Sequence, residues 1–196
     1  MAAERDPRKF DPARALDLDA PERERYLPTG LLVAMLELTG AEIVLDYGAG
    51  TGGIALAVAN ATARGRVVAV DESSEMVAHL EKRLAAVGNA AAVLITSNRV
   101  PLHDGEADRI LAVNLLHEIR GENALAEMRR VVAPEGMLLV VDWRRGRPRP
   151  AGPPDQLLYD AQEAADALRH AGFDPVEVAA GLPFHFVLRA SPVGGR

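Results

Sequence analysis

Short, continuously apolar segments alternate with amphipathic ones through most of this chain, and this order limits the folds it can adopt. The apolar segments have the length of strands and lie at residues 42–46, 66–71, 92–96, 108–113 and 137–142. The segments with helical periodicity lie at residues 29–38, 54–63, 74–87 and 122–132. Thr29 is the expected N-cap of the first helix and Gly40 its stop. Buried strands joined through helices form a parallel sheet covered on both faces, so the sequence predicts a doubly wound α/β fold.

The C-terminal part of the chain departs from this order. A helix is expected at residues 160–171, followed by two strand-like segments, 175–179 and 184–190, with only a loop containing Gly181 and Pro183 between them. Strands joined by so short a connection pair antiparallel. We therefore expect a mostly parallel sheet closed by an antiparallel C-terminal hairpin, in a domain that spans residues 29–196.

The composition excludes several kinds of site. The chain of 196 residues contains no cysteine, which excludes disulfides, thiolate nucleophiles and cysteine-based metal sites, and since the histidines show no ligand spacing we expect no metal. The net charge of −6 argues against broad binding of nucleic acid or of an anionic membrane. The sequence shows no secretory signal and no apolar run of the about 18 residues needed to cross a bilayer. We expect a cytoplasmic protein.

A glycine-rich turn follows the first predicted strand and opens the second helix. Its sequence, DYGAGTGG at residues 46–53, satisfies both G-x-G-x-x-G and G-x-G-x-G. Glycines let the backbone turn tightly and approach a ligand, and the free N–H groups at the helix start can bind it. Asp71 ends the next strand, 23 residues after Gly48, where a carboxylate can accept hydrogen bonds from two ribose hydroxyls. The alternative for Asp71 is an acidic residue that only stabilises a helix N-terminus.

Two cofactor classes fit this geometry, and Asp46 discriminates between them. A dinucleotide brings a pyrophosphate, which needs only bare N–H groups, whereas S-adenosylmethionine brings an ammonium and a sulfonium, which need acceptors. Dinucleotide folds usually have an apolar residue two positions before the first glycine. A carboxylate at position 46 would repel a pyrophosphate and attract an ammonium, which favours S-adenosylmethionine.

The chain resembles the class I (Rossmann-like) S-adenosylmethionine-dependent methyltransferases over residues 10–190. The segment VLDYGAGTGG is similar to the first motif of that family, VVAVDESSEMV to the second, and VPLHDGEADRILAVNLLHEI to the region around its fourth strand. MRRVVAPEGMLLVVDW resembles the helix and strand that follow, and HAGFDPVEV with FHFVLRA resembles the closing hairpin. The resemblance implies an enzyme that transfers a methyl group from this cofactor.

The resemblance also implies which residues contact the methionyl end of the cofactor. Asp46 would read the ammonium, directly or through water, and Asn114 would offer it a backbone carbonyl. The backbone of the glycine turn would line the methionyl moiety. The implied residues at this end are Asp46, Gly48, Ala49, Gly50, Asn114 and Leu115.

At the nucleoside end, the resemblance implies that Asp71 holds the ribose and that Glu72 and Met76 border the adenine. The family often has an aspartate just after its third strand that binds the adenine amino group. This chain has no carboxylate there, and Ser97 or Asn98 is the expected replacement. Recognition of the adenine is therefore less well defined by the sequence than recognition of the ribose.

Methyl transfer is a direct displacement, so the enzyme mainly aligns the reactants and excludes water, and it needs a base only when the acceptor loses a proton. His117, which follows the fourth strand at the ligand-binding end of the sheet and would face the reactive methyl, is the candidate catalytic residue. The alternative is a histidine packed against the sheet. Glu118 is a further candidate orienting group. Trp143 is a candidate wall of the acceptor pocket, or else a core or dimer-contact residue.

His185 is also a candidate for binding the acceptor. It lies between two phenylalanines in a predicted strand, so it should point away from them, and we expect its side chain to be exposed to solvent.

Residues 1–28 are polar and charged, and we expect an N-terminal arm or lid. The segment just before the first helix, which contains Tyr26, resembles the lid of many such enzymes and is expected to close over cofactor and acceptor. The acidic charge favours a small-molecule acceptor with no nucleic acid or membrane partner, and the sequence leaves a homodimer open. Two other functions also stay open: a nicotinamide-dependent oxidoreductase, supported by glycines 48, 50 and 53, and a non-catalytic protein that binds the cofactor.

Overall fold

A single seven-stranded sheet organises the computed structural model, which describes residues 6–119 and 122–194. The strands are β1 (Ile43–Tyr47), β2 (Arg66–Asp71), β3 (Ala90–Leu94), β4 (Ala107–Val113), β5 (Val132–Trp143), β6 (Phe173–Glu177) and β7 (His185–Pro192). The helices are α1 (Thr29–Met35), α2 (Gly53–Ala61), α3 (Ser74–Leu84), α4 (Glu122–Val131) and α5 (Ala161–His170). Two 3-10 helices, Pro12–Asp19 and Pro21–Arg25, precede α1.

The strand order β3-β2-β1-β4-β5-β7-β6 confirms the predicted fold. The first five strands pair in parallel, and β7 pairs antiparallel with both β5 and β6. The winding reverses between β1 and β4, because β2 and β3 lie on one side of β1 while β4 and β5 lie on the other. Open α/β sheets bind their ligands at such a reversal, outside the carboxyl ends of the strands.

Two apolar clusters cover the two faces of the sheet. Met128 of α4 and Leu168 of α5 pack on one face. Val58 of α2 and Leu80 of α3 pack on the other, together with α1. Because both faces of the inner strands are covered, β1 and the middle parts of β2, β4 and β5 are buried and largely apolar, as the sequence indicated. Among the described residues, no helix has both the length and the apolar character that a membrane crossing requires.

The first helix differs from the prediction at both ends. The N-cap is Pro28, not Thr29, because the carboxylate of Glu24 accepts a hydrogen bond from the Thr29 N–H at 3.0 Å and draws Thr29 into the first turn. The helix ends at Met35, well before Gly40, since Glu37 adopts a left-handed conformation with φ 50°. The third strand also begins earlier, at Ala90, where its backbone pairs with Val67 of β2.

The turn into β2 requires glycine at position 65. A Cβ there would overlap the backbone of Ala41 and Glu42, which cannot move without disturbing the start of β1. We expect Gly65→Ala to lower the free energy of unfolding by about 1–3 kcal/mol, the usual effect of overpacking. Gly30→Ala is the matched control, since nothing lies within 4 Å of the added methyl group in α1. That variant should gain roughly 0.5–1 kcal/mol from helix propensity. Urea denaturation of both variants tests this, and equal stabilities would contradict it.

Candidate functional site

The glycine-rich turn between β1 and α2 adopts a backbone that only glycine tolerates well. Gly48, Gly50 and Gly52 have φ values of 76°, 56° and 83°. The N–H groups of Gly48 and Ala49 both donate to the carbonyl of Val70 at 2.9 Å, which ties the turn to the end of β2. A Cβ at Gly48 would lie 2.6 Å from Cδ1 of Leu115, so the segment after β4 packs directly against the turn.

Asp71 links the end of β2 to this turn. One carboxylate oxygen accepts from the N–H of Gly50 at 2.9 Å, and the other accepts from the N–H of Ser73 at 2.9 Å. Burial raises the pKa of Asp71, and these two hydrogen bonds partly offset the effect. Each oxygen has a further lone pair, so the carboxylate can still accept bonds from hydroxyl groups of a ligand.

Asp46 is a buried carboxylate of the site that lacks a hydrogen-bond partner on one oxygen among the described residues. Its residue is 3% exposed, and Oδ2 has no hydrogen-bond partner among the described residues. Burial, reinforced by the negative charge of Asp71, raises the pKa of Asp46 to about 7, while Arg23 opposes this shift. A buried polar atom without a partner is costly unless a ligand supplies one.

Asn114 has the same character at the end of the neighbouring strand. It follows β4 in a left-handed conformation with φ 53°, and its N–H donates to the carbonyl of Val141 at 2.7 Å. Its side-chain Oδ1 is buried and is likewise unpartnered within the described parts of the chain. Two unsatisfied acceptors, on Asp46 and Asn114, therefore flank the point where the winding of the sheet reverses.

The residues expected around the adenine are more dispersed. Met76 is buried at the start of α3, whereas Glu72 is exposed and forms an ion pair with Lys9 at 2.7 Å. Ser97 is exposed, and Oδ1 of Asn98 accepts from the hydroxyl of Tyr47 at 3.2 Å. The Tyr47 contact was not predicted, and it already occupies one lone pair of the amide oxygen on which adenine recognition would depend.

His117 forms a buried pair with Asp142, the last residue but one of β5. Its Nδ1 lies 2.8 Å from Oδ1 of Asp142, and its backbone N–H donates to Oδ2 of the same carboxylate at 3.0 Å. Burial lowers the pKa of His117, but the charge and hydrogen bond of Asp142, together with the charge of Glu118, outweigh it and hold the pKa above its ordinary value. Glu118 lies beside the pair, 3.9 Å from Nε2, and burial raises its pKa to about 7. Sequence reasoning missed the role of Asp142, although it is the third aspartate at the end of a parallel strand.

The expectation that His185 is exposed is wrong. The residue is 3% exposed, and neither ring nitrogen has a partner among the described residues. The alternation rule assumed a strand with one free face, but β7 lies between β5 and β6 and both of its faces are covered. Its ring lies 4.2 Å from that of Trp143 and 6.2 Å from that of Tyr26, measured between centroids. Burial lowers the pKa of His185 to about 4.

The candidate acceptor residues fall on two faces of the sheet. Successive strand residues alternate between faces, so Trp143 and His185 lie on the side of α1 and α2, together with Asp46. Asp142 and the His117 bound to it lie on the other side. Arg23 lies close enough to both Asp46 and His185 for its charge to lower the pKa of each.

The N-terminal segment lies over the glycine turn. Leu18 is so close that a Cβ at Gly50 would lie 3.0 Å from its Cδ1. Asp19 accepts from the Thr51 hydroxyl at 2.9 Å and forms an ion pair with Arg83 at 2.6 Å. The sequence indicated an arm at this position but gave no sign of the Asp19 contacts, because they join residues far apart in the chain.

Comparison with known proteins agrees with this geometry. A family model described as a methyltransferase domain matches residues 44–136. A ubiquinone/menaquinone biosynthesis C-methyltransferase of Syntrophotalea carbinolica is 36% identical over 113 residues, which is 57% of this chain and 48% of that protein. An uncharacterized methyltransferase of Mycobacterium tuberculosis is 37% identical over 147 residues, which is 74% of this chain and 54% of that protein. The chain thus spans about half the length of these curated relatives.

A solved structure extends the likeness to nearly the whole chain. The crystal structure of an S-adenosylmethionine-dependent methyltransferase from Aquifex aeolicus superposes with a TM-score of 0.86 at 27% identity, covering 93% of this chain and 98% of that one. The likeness to these relatives agrees with two features of this chain. They are the order of strands in the sheet and the glycine turn with its flanking aspartates. These findings support a class I S-adenosylmethionine-dependent methyltransferase.

Proposed function

We propose that this protein transfers the methyl group of S-adenosylmethionine to a small-molecule acceptor. The observation that carries the proposal is the pair of buried, unpartnered acceptor atoms on Asp46 and Asn114, beside the glycine turn. An ammonium supplies the hydrogen bonds and the positive charge that these atoms lack. The pyrophosphate of a dinucleotide would instead meet the charge of Asp46, which disfavours an oxidoreductase.

The other cofactor contacts follow from the same placement. The backbone of Gly48, Ala49 and Gly50 would line the methionyl moiety, with Leu115 beside it. Asp71 would accept from the ribose hydroxyls with its remaining lone pairs. The residues proposed to border the adenine are Glu72, Met76, Ser97 and Asn98.

The bound cofactor supplies a methyl group activated by the adjacent sulfonium. The chain itself has to orient the acceptor, exclude water and receive a proton where the acceptor loses one. We assign the last role to His117. Since Nδ1 faces the Asp142 carboxylate, Asp142 fixes the orientation of the ring and leaves Nε2 as the atom that receives the proton.

A small-molecule acceptor is supported by charge and by a relative. The net charge is −6, and in the segment after β5 Arg144 pairs with Glu177, Arg145 with Glu163 and Arg149 with Asp155. These pairs leave little positive charge there for a polyanion. The curated relative named for ubiquinone and menaquinone biosynthesis supports the same class of acceptor.

We also propose that residues 1–28 act as a lid on the cofactor. The contacts of Leu18 and Asp19 with the glycine turn support this, because the methionyl moiety is proposed to bind at that turn. Leu27, at its end, is buried in the core, so the lid would pivot ahead of that residue. In this arrangement the lid excludes water from the reacting groups.

Asp71 tests the assigned ribose contact. Asp71→Ala should weaken the binding of S-adenosylhomocysteine by about 10- to 150-fold, because hydrogen bonds to a charged group are lost. Isothermal titration calorimetry measures this. Glu81→Ala, which removes an exposed carboxylate from α3, is the control and should bind as the wild type does. An unchanged affinity in Asp71→Ala would show that the ribose lies elsewhere.

Asp46 should make cofactor binding dependent on pH. Its pKa of about 7 means that the free protein protonates this group below neutrality, and the ammonium of the ligand favours the charged form. We expect the affinity for S-adenosylhomocysteine to fall by up to about tenfold per pH unit below pH 7. Asp46→Asn should bind weakly and lose this dependence. A wild-type affinity that stays constant from pH 8 to pH 5.5 would be incompatible with the assignment.

The thermal stability of the protein without ligand shows whether Asp46→Asn is correctly folded. The pKa of Asp46 in the folded protein lies above its ordinary value, so ionisation of this group destabilises the folded state. The free energy of unfolding therefore falls as the pH rises from about 4 to about 7. Without ligand at pH 8, Asp46→Asn should therefore melt at a higher temperature than the wild type. This result would separate weak binding from misfolding.

Asp19 tests the lid. Asp19→Ala removes the contacts with Thr51 and Arg83, and we expect the affinity for S-adenosylhomocysteine to fall about three- to tenfold. Asp17→Ala is the matched control, since Asp17 pairs with the exposed Arg14 of its own segment. Calorimetry compares the two variants, and equal affinities would remove the lid from the proposal.

A further inference from the structure

Two adjacent residues of the N-terminal segment bind to carboxylates at the carboxyl edge of the sheet. Nζ of Lys9 lies 2.7 Å from Oε1 of Glu72, which directly follows β2. The backbone N–H of Phe10 donates to Oε1 of Glu118, in the segment after β4, at 3.2 Å. Because β2 and β4 lie on either side of β1, residues 9 and 10 join the segments that follow both neighbours of the central strand.

Glu118 places the same carboxylate oxygen beside His117. Its Oε1 lies 3.9 Å from Nε2 of the ring, which is too long for a hydrogen bond but short enough for a strong interaction between charges. The two side chains are 15% and 5% exposed, so water screens this interaction little. The N–H of Glu118 donates to the carbonyl of Leu115 at 2.8 Å, and Leu115 packs against the glycine turn. One oxygen atom therefore lies next to both the N-terminal segment and the imidazole.

His117 has a carboxylate near each of its ring nitrogens. Asp142 is 2.8 Å from Nδ1, and Glu118 is near Nε2, the atom to which we assign the proton of the acceptor. Both carboxylates favour the protonated ring, whereas the charge of Arg149, after β5, opposes it. A ring that accepts a proton at Nε2 becomes a cation, and a negative charge on each side stabilises that cation. Glu118 contributes to this only while it is ionised.

The N-terminal segment favours the ionised form of Glu118. Burial raises the pKa of Glu118 to about 7, and the negative charge of Asp71 acts in the same direction. The charge of Lys9 and the N–H of Phe10 oppose this rise, as does the charge of His117. Two of these three groups belong to the N-terminal segment and would leave with it when the segment opens.

We propose that Glu118 is a positioning residue, through which closure of the N-terminal segment makes His117 a stronger proton acceptor. With the segment closed, the Phe10 N–H binds Oε1 and holds a carboxylate beside Nε2. The proton of the acceptor then passes to Nε2, while the acceptor atom bonds to the methyl carbon and the sulfur keeps the electrons of the broken bond. When the segment opens, the ring returns this proton to water. This inference rests on the proposed function, since it concerns the regulation of the same base.

NMR titration of His117 tests the inference without an acceptor. In ¹⁵N-labelled protein saturated with S-adenosylhomocysteine at each pH, the ring nitrogen signals give the pKa of His117, and His117→Asn assigns them. Glu118→Gln keeps an oxygen for the Phe10 N–H but removes the charge. We expect it to lower the pKa of His117 by about one pH unit. Glu81→Gln, the same substitution at an exposed residue of α3, is the control and should leave this pKa unchanged.

Two substitutions of Phe10 isolate the backbone hydrogen bond. Proline has no backbone N–H, so Phe10→Pro removes the donor to Glu118. Phe10→Ala is the matched control, because it loses the same ring and keeps the N–H. We expect the pKa of His117 to be about half a pH unit lower in Phe10→Pro than in Phe10→Ala. In a Glu118→Gln background the two variants should not differ, because the link is already broken.

Three outcomes would overturn the inference. They are a pKa of His117 that Glu118→Gln leaves unchanged, equal values in Phe10→Pro and Phe10→Ala, or a difference between these two that persists in Glu118→Gln. The substitutions at positions 10 and 118 are independent, so the test survives the misfolding of either one. Calorimetry on the same preparations separates this test from the proposed function. Binding of S-adenosylhomocysteine with an unchanged pKa of His117 would refute only the role of Glu118, whereas a wild-type protein that does not bind S-adenosylhomocysteine would refute the proposed function.

Discussion

The buried carboxylate of Asp46 is the interaction on which the rest of the site depends. It is the last residue but one of the central strand β1, is almost fully buried, and has Asp71 as a like-charged neighbour. Burial of an unpaired charge is among the most unfavourable features that a fold can contain. In the proposed function, a positively charged group of the ligand removes this cost on binding, so the free energy that destabilises the empty fold would favour the cofactor.

Three aspartates at the carboxyl edge of the sheet have three different environments. Asp46 has an unpartnered oxygen, Asp71 accepts from two backbone N–H groups, and Asp142 is bonded to His117. Asp71 ends β2, Asp46 and Asp142 are the last residues but one of β1 and β5, and parallel strands bring such ends to one edge. In the proposed function, this edge of the sheet provides a group for an ammonium, a group for a ribose and a group that orients a base.

Much of the fold could be predicted from the sequence, because the inner parallel strands β1, β2, β4 and β5 are largely buried on both faces and form distinct apolar segments. The glycine turn and Asp71 could be predicted for a related reason, since their spacing along the chain sets their spacing in the fold. The environment of His185 could not. His185 is buried because β7 lies inside the sheet, between β5 and β6. The alternation of apolar and polar residues along one strand does not show which strands pair with it.

Contacts between distant segments also lay beyond the sequence. Asp19 meets Thr51 and Arg83 only because the N-terminal segment crosses the glycine turn. Asp142 meets His117 because β4 and β5 are neighbours, which the order of elements suggested but no residue pattern specified. In both cases the sequence shows an aspartate at the position but does not predict the residues that it contacts.

The most direct measurement is a crystal structure with bound S-adenosylhomocysteine. The ligand amine should lie about 3 Å from Oδ2 of Asp46, or be joined to it by one ordered water, with the ribose on Asp71. A ligand amine remote from Asp46, or a phosphate-bearing nucleotide occupying the glycine turn instead, would contradict the central role of this buried charge.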